Sequence, residues 1–154
     1  MSCVTGILSL ALCATIFHKG FQQKKEVLFQ IKSLYKNEDD AEEKDNLMKG
    51  LTCAQKIEHL KGILRMAVDK NGGVPVQSIS RIFNRVALNP LSNDFLTHFL
   101  FENWKAICNR LKNHERFLQR VIGACLLNMH SNAEIMLVRT NSFMFHSFSI
   151  LFFT

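Results

Sequence analysis

Apolar residues recur at three- and four-residue intervals along most of the chain, and each run ends at a turn or a charged stretch. That spacing predicts a succession of amphipathic helices. Between residues 24 and 36, Val27, Leu28, Ile31, Leu34 and Tyr35 share one face. The run Asn37-Glu38-Asp39-Asp40 is a turn and helix start, and it places Glu42 and Glu43 in a first turn where the helix dipole favours them. The next helix turns Leu47, Met48 and Leu51 inward. After Thr52-Cys53 another carries Ile57, Leu60, Ile63, Leu64, Ala67 and Val68, and it stops before Asn71-Gly72-Gly73, a strong helix terminator. Pro75 stands where a first-turn proline is tolerated, and Val76, Ile79, Ile82, Phe83 and Val86 form the face that follows.

The centre of the chain is the corner at Asn89-Pro90, where that helix ends near Ala87 and one long helix begins and runs to about Lys112. Its polar residues Asp94, His98, Glu102, Lys105, Asn109 and Lys112 fall on one narrow strip. The remainder, from Phe95 through Trp104 to Leu111, is apolar over an arc too wide for packing on one side. Trp104 is therefore expected to be substantially buried. Phe117, Leu118, Val121, Ile122, Cys125 and Leu126 define a further helix, and residues 131–138 start another with Ser131 or Asn132 as N-cap. Helix pairs with short connections predict an all-α fold, a short solenoid of stacked pairs resembling HEAT or armadillo repeats.

The two ends read differently. Residues 1–17 contain an apolar run that suits a signal-peptide core or a buried helix; the absence of a preceding Lys or Arg, and of a small-residue cleavage site at His18-Lys19-Gly20, favours the helix. At the other end Phe143, Phe145, Phe148, Phe152 and Phe153 crowd into a stretch without charge, too short and too interrupted by polar residues to span a membrane. The reading is a helical-repeat domain over residues 1–138 and a hydrophobic tail over 139–154, expected to lie outside the packed helices.

At 154 residues, 47% hydrophobic and 21% charged, the chain is long and apolar enough to bury a core. The net charge of +6 raises nucleic acid or an anionic membrane as partners. The basic residues are scattered and not interleaved with aromatics, so neither is expected. The five cysteines are odd in number, with no CxxC pair, which points away from a disulfide framework or zinc knuckle. No catalytic or metal site emerges: His114-Glu115 is followed by Leu118 where an HExxH helix needs its second histidine, His59 beside Glu58 has no second ligand at i+4, and Gly72-Gly73 lacks the strand and lysine of a phosphate loop. No cofactor is expected.

Leu51-Thr52-Cys53-Ala54 closing one helix, then Asn89-Pro90-Leu91, then the aromatic stretch ending in Asn103-Trp104, with Gln77 at the start of the intervening helix, resemble the C-terminal helical domain of the zinc aminopeptidases related to aminopeptidase N and the endoplasmic reticulum aminopeptidases. The resemblance covers residues 26–138. Ser92, and Phe95 or a neighbour, depart from the glycine and tryptophan usual there. It implies an array of HEAT-like repeats that arches over a catalytic domain and helps enclose the peptide. The zinc, the HExxH helix and the exopeptidase loop belong to that catalytic domain and have no counterpart in this chain. The expected function is thus that of a non-catalytic piece, inactive alone, whose partners are peptide or an aminopeptidase catalytic domain. A stand-alone repeat protein that binds a peptide or protein is the alternative.

Overall fold

The structure, a computed structural model, describes residues 25–126. All the regular structure among them is helical: α1 (Lys25–Asn37), α2 (Ala41–Thr52), α3 (Ile57–Val68), α4 (Val76–Ala87), a 3-10 turn at Pro90–Asp94, α5 (Leu96–Glu102), α6 (Trp104–Leu111) and α7 (Glu115–Leu126). The helix expected over residues 131–138, the apolar run at 1–17 and the tail lie outside the described residues. Within them, no helix is long and apolar enough to cross a membrane.

Local signals set the boundaries. The Asp40 carboxylate caps α2 by accepting from the backbone N–H groups of Glu42 and Glu43, both at 2.9 Å. These donors would otherwise lack partners. At the end of α3 the backbone turns through Gly73, whose φ of +73° favours glycine. Its neighbour Gly72 is needed for a different reason: a Cβ there would meet the Met66 carbonyl oxygen at 1.9 Å.

The helices form two layers. Helices α2, α4 and α7 lie side by side, with α4 packed against α2 on one flank and more extensively against α7 on the other. Behind them α1 packs on α2, α3 on α2 and α4, and α5 and α6 on α7, while α3 touches α6. The core runs along the seam. Phe83 of α4 and Phe99 of α5 are its largest fully buried side chains, with ring centroids 6.2 Å apart, and Leu51, Leu60, Ile63, Leu64, Ile107 and Val121 pack around them. The Thr97 hydroxyl, also buried, donates to the Cys125 carbonyl at 3.1 Å and fastens α5 to the end of α7.

Four expectations need correction. The long helix is broken at Asn103 (φ −107°, ψ 12°), where the side-chain amide donates to the Phe99 carbonyl at 2.9 Å. That carbonyl also accepts the Asn103 backbone N–H at 3.1 Å. An asparagine bonding back onto its own turn competes with regular helix geometry, so the axis is interrupted although the polar strip of His98, Glu102, Lys105, Asn109 and Lys112 stays exposed on both pieces. Trp104, first residue of α6 and just beyond the break, is only partly buried. On α1, Ile31 and Tyr35 are buried but Leu34 is exposed. Finally, Cys53 is disulfide-bonded, against the expectation from cysteine count; its partner lies outside the described residues, since Cys108 and Cys125 are free thiols. Burial pushes the Cys125 thiol far above its usual range, so it behaves as a small apolar group.

Phe83→Ala should lower the stability of the chain by about 3–5 kcal/mol, the usual range for deleting a core phenylalanine. His98→Ala, at an exposed position, should stay within about 0.5 kcal/mol of the parent. Urea midpoints of the two variants provide the check, and equal midpoints would contradict the packing of α4 against α5.

Candidate functional site

The groove between α2 and α4 is set by the corner at their ends. Asn89 accepts the Leu91 backbone N–H on its side-chain oxygen at 3.1 Å, which shapes the 3-10 turn. Its side-chain NH2 donates to the Thr52 carbonyl at 3.1 Å and to the Ala54 carbonyl at 3.0 Å, which would otherwise be left over where α2 ends. One asparagine thus joins two carbonyls of one segment, 35 and 37 residues away, to its own turn. Buried Ser92 adds a bond from its hydroxyl to the Ala87 carbonyl at 3.1 Å. The Leu51-Thr52-Cys53-Ala54 and Asn89-Pro90 motifs are brought together here. Asn103-Trp104 is not part of this corner and marks the helix break.

Toward the other end of the same helices, α2 and α4 part to leave a cavity of about 220 Å³. Its apolar floor includes Met48 and Ile82, with Tyr35 of α1 beside them; all three belong to the core. Asp39, Lys44, Asp45, Arg81 and Arg85 bring charge to its walls. The Asp45 carboxylate lies 2.8 Å from Arg85 Nη2, 3.3 Å from Lys49 Nζ and 3.5 Å from Arg81 Nη1. Burial alone would raise the Asp45 carboxyl, but hydrogen bonds and charge from Arg85 and Lys49 outweigh it and hold the group below its usual value. Lys44 donates to the Glu38 carbonyl at 2.9 Å and sits 5.3 Å from the centre of the Tyr35 ring. The Tyr35 hydroxyl is shifted upward, by burial first and by the Asp45 charge second. Gln77, the residue matched by resemblance, is exposed at the mouth.

Sequence reading missed this cluster. Arg81 and Arg85, like Asp45 and Lys49, stand four residues apart and so on one helix face, which was the available signal. Treating the basic residues as scattered hid it.

The model of one protein family, described as the ERAP1-like C-terminal domain, matches residues 5–143. The chain belongs to that family. Among curated proteins, the aminopeptidase N of Haemonchus contortus is 36% identical over 107 residues, which covers 69% of this chain and 11% of the relative. The chain therefore spans about a tenth of that relative's length. No solved structure matches. The family match reaches beyond the 26–138 resemblance at both ends and takes in most of the N-terminal apolar run. Among the described residues no three His, Cys, Asp or Glu side chains could hold a metal ion together. His114, the histidine of the incomplete HExxH pattern, is exposed and stacks on Phe117 with ring centroids 5.7 Å apart.

Two measurements test this geometry. Asn89→Ala strands the Thr52 and Ala54 carbonyls and the Leu91 N–H, so it should cost about 1–3 kcal/mol, with Asn84→Ala on an exposed face as a near-neutral control. For Asp45, whose carboxyl is depressed on folding, the contribution to stability is present above the unfolded value near pH ~4 and is lost as pH falls through the lower folded value. Asp45→Asn should therefore destabilise by about 1 kcal/mol at neutral pH, a value kept small because the cluster is partly solvated. The gap to the parent should close on acidification; a pH-independent gap would show that ionisation of Asp45 plays no part.

Proposed function

We propose that this chain acts as part of the wall of a peptide-processing chamber, with the α2, α4 and α7 layer turned toward the substrate space, and that it is inactive alone. The observation that carries the reading is family membership joined to the layered architecture. Stacked helix pairs present one layer of helices along a continuous face, the surface such arrays use for extended ligands. In this chain that face holds the groove at Asp45. Chemistry would come from elsewhere: a peptidase needs a general base beside a bound nucleophile, and the described residues bring no such pair together. The disulfide at Cys53 suits a compartment that is oxidising, such as the cell exterior or a secretory lumen.

A chimera tests the reading directly. The 107 matched residues would replace the corresponding segment of the Haemonchus contortus aminopeptidase N. Turnover of a single aminoacyl amide should stay within about twofold of the parent enzyme, while kcat/KM for a long peptide should shift by about tenfold, because only the long substrate reaches the wall. The chain by itself should hold no stoichiometric zinc and release no amino acid. Tightly bound zinc with aminoacyl hydrolysis by the isolated chain would overturn the proposal, as would equal responses of short and long substrates in the chimera.

A further inference from the structure

We infer that Asn71 is a site of spontaneous deamidation, and that the turn between α3 and α4 holds the reaction back until it opens. Asn71 is the one asparagine of this chain that is followed by glycine. Asparagine is among the heat-labile residues. Its side-chain amide is attacked by the main-chain nitrogen of the next residue, and a glycine there leaves the approach unhindered by a Cβ.

The reaction needs no reagent but water. The Gly72 nitrogen bonds to Asn71 Cγ, the Cγ–Nδ2 bond breaks, and Nδ2 leaves with its electron pair as ammonia, balanced by the proton that Gly72 loses. Water then adds to either carbonyl of the cyclic imide and breaks its bond to nitrogen, which recovers its N–H. Cleavage at the side-chain carbonyl leaves an aspartate. Cleavage at the main-chain carbonyl leaves an isoaspartate, in which the chain runs through the former side chain and is longer by one methylene.

The turn exposes the target and restrains the attacker. Asn71 is exposed, whereas Gly72 is buried. The Gly72 N–H donates to the Asp69 carbonyl at 3.1 Å, and the Asn71 N–H donates to Asp69 Oδ1 at 2.9 Å. Farther along the turn, Arg110 Nη2 donates to the carbonyl of buried Val74 at 2.7 Å. To react, the Gly72 nitrogen must give up its proton and swing toward Cγ, and both changes break its bond to Asp69. Space is short as well, because a Cβ at Gly72 would run into the Met66 carbonyl. The nitrogen is therefore released when the turn opens, and such local opening costs less than unfolding the core.

The same tight fit rejects the product. An isoaspartate inserts its extra carbon directly before Gly72, where the main chain already rests against Met66. The displaced turn would loosen the start of α4 at Val76. Deamidation thus marks chains whose turn has opened, and marks them irreversibly. This chemistry is independent of the wall reading.

The test incubates the full 154-residue chain at neutral pH and physiological temperature, folded and in denaturing urea, and weighs its tryptic peptides over time. Trypsin cuts after Lys70 and Arg81, so Asn71 is read on residues 71–81 and the exposed Asn84 on the next peptide. Asn71 should convert about tenfold faster in the unfolded chain than in the folded one, with Asn84 unchanged in both. Conversion in the folded chain should rise severalfold in urea too dilute to lower the helix signal, and in Asp69→Ala, which loses the bond to the Asn71 N–H. Isoaspartyl chains should unfold at a lower urea concentration than Asn71→Asp, which carries the same charge on an unaltered backbone. An unfolded chain that keeps Asn71 intact would overturn the site. Equal rates in the folded and unfolded chains, or rates indifferent to both dilute urea and Asp69→Ala, would overturn the restraint by the turn. Equal urea midpoints for the isoaspartyl chain and Asn71→Asp would overturn the rejection of the product.

Discussion

The amide of Asn89 is the constraint on which the arrangement of helices depends. A helix that ends leaves carbonyl groups without partners, and a following tight turn leaves an N–H in the same state. Asn89 supplies a group for each: its oxygen takes the Leu91 N–H, and its NH2 spans the carbonyls of Thr52 and Ala54. With the ends of α2 and α4 thereby fixed, α4 becomes the central member of its layer. Its inner face then carries Phe83 to Phe99, and its flanks hold α2 and α7. Away from Phe83, Arg81 and Arg85 reach Asp45 of α2. Packing and charge on opposite sides of one helix follow from one capped corner.

Much of this was legible in the order of residues, and the reasons are specific. Helices α3, α4 and α7 carry apolar residues on one face with clear stops, and Asn71-Gly72-Gly73 behaves as its composition requires because the carbonyl of Met66 leaves no room for a side chain at Gly72. The break at Asn103 was hidden because the polar strip continues through it without a change of phase. Only the return of the Asn103 side chain onto Phe99 reveals it, and an asparagine in an otherwise regular pattern does not announce such a bond. Leu34 was misplaced for a related reason: periodicity marks a face, but the width of the contact depends on which neighbour covers it.

The groove was less legible than the corner. The residues of the corner could be tied to a familiar motif set, whereas Asp45 and Arg85 lie 40 positions apart and meet only because α2 and α4 share a layer. Charges on helix surfaces are commonly solvated and contribute little, so a scatter of lysines and arginines carries no instruction about which of them converge. What distinguishes this cluster is partial burial of one carboxylate among several cations. That property belongs to the packed layers rather than to any single helix.

Cys53 adds something to the corner that hydrogen bonds alone would not. Beside it, Thr52 and Ala54 are gripped by an amide, and Cys53 itself is disulfide-bonded. The end of α2 is accordingly a joint with two independent fasteners of different chemistry, one sensitive to competing solvent and the other to reductants. Loss of either leaves the other in place.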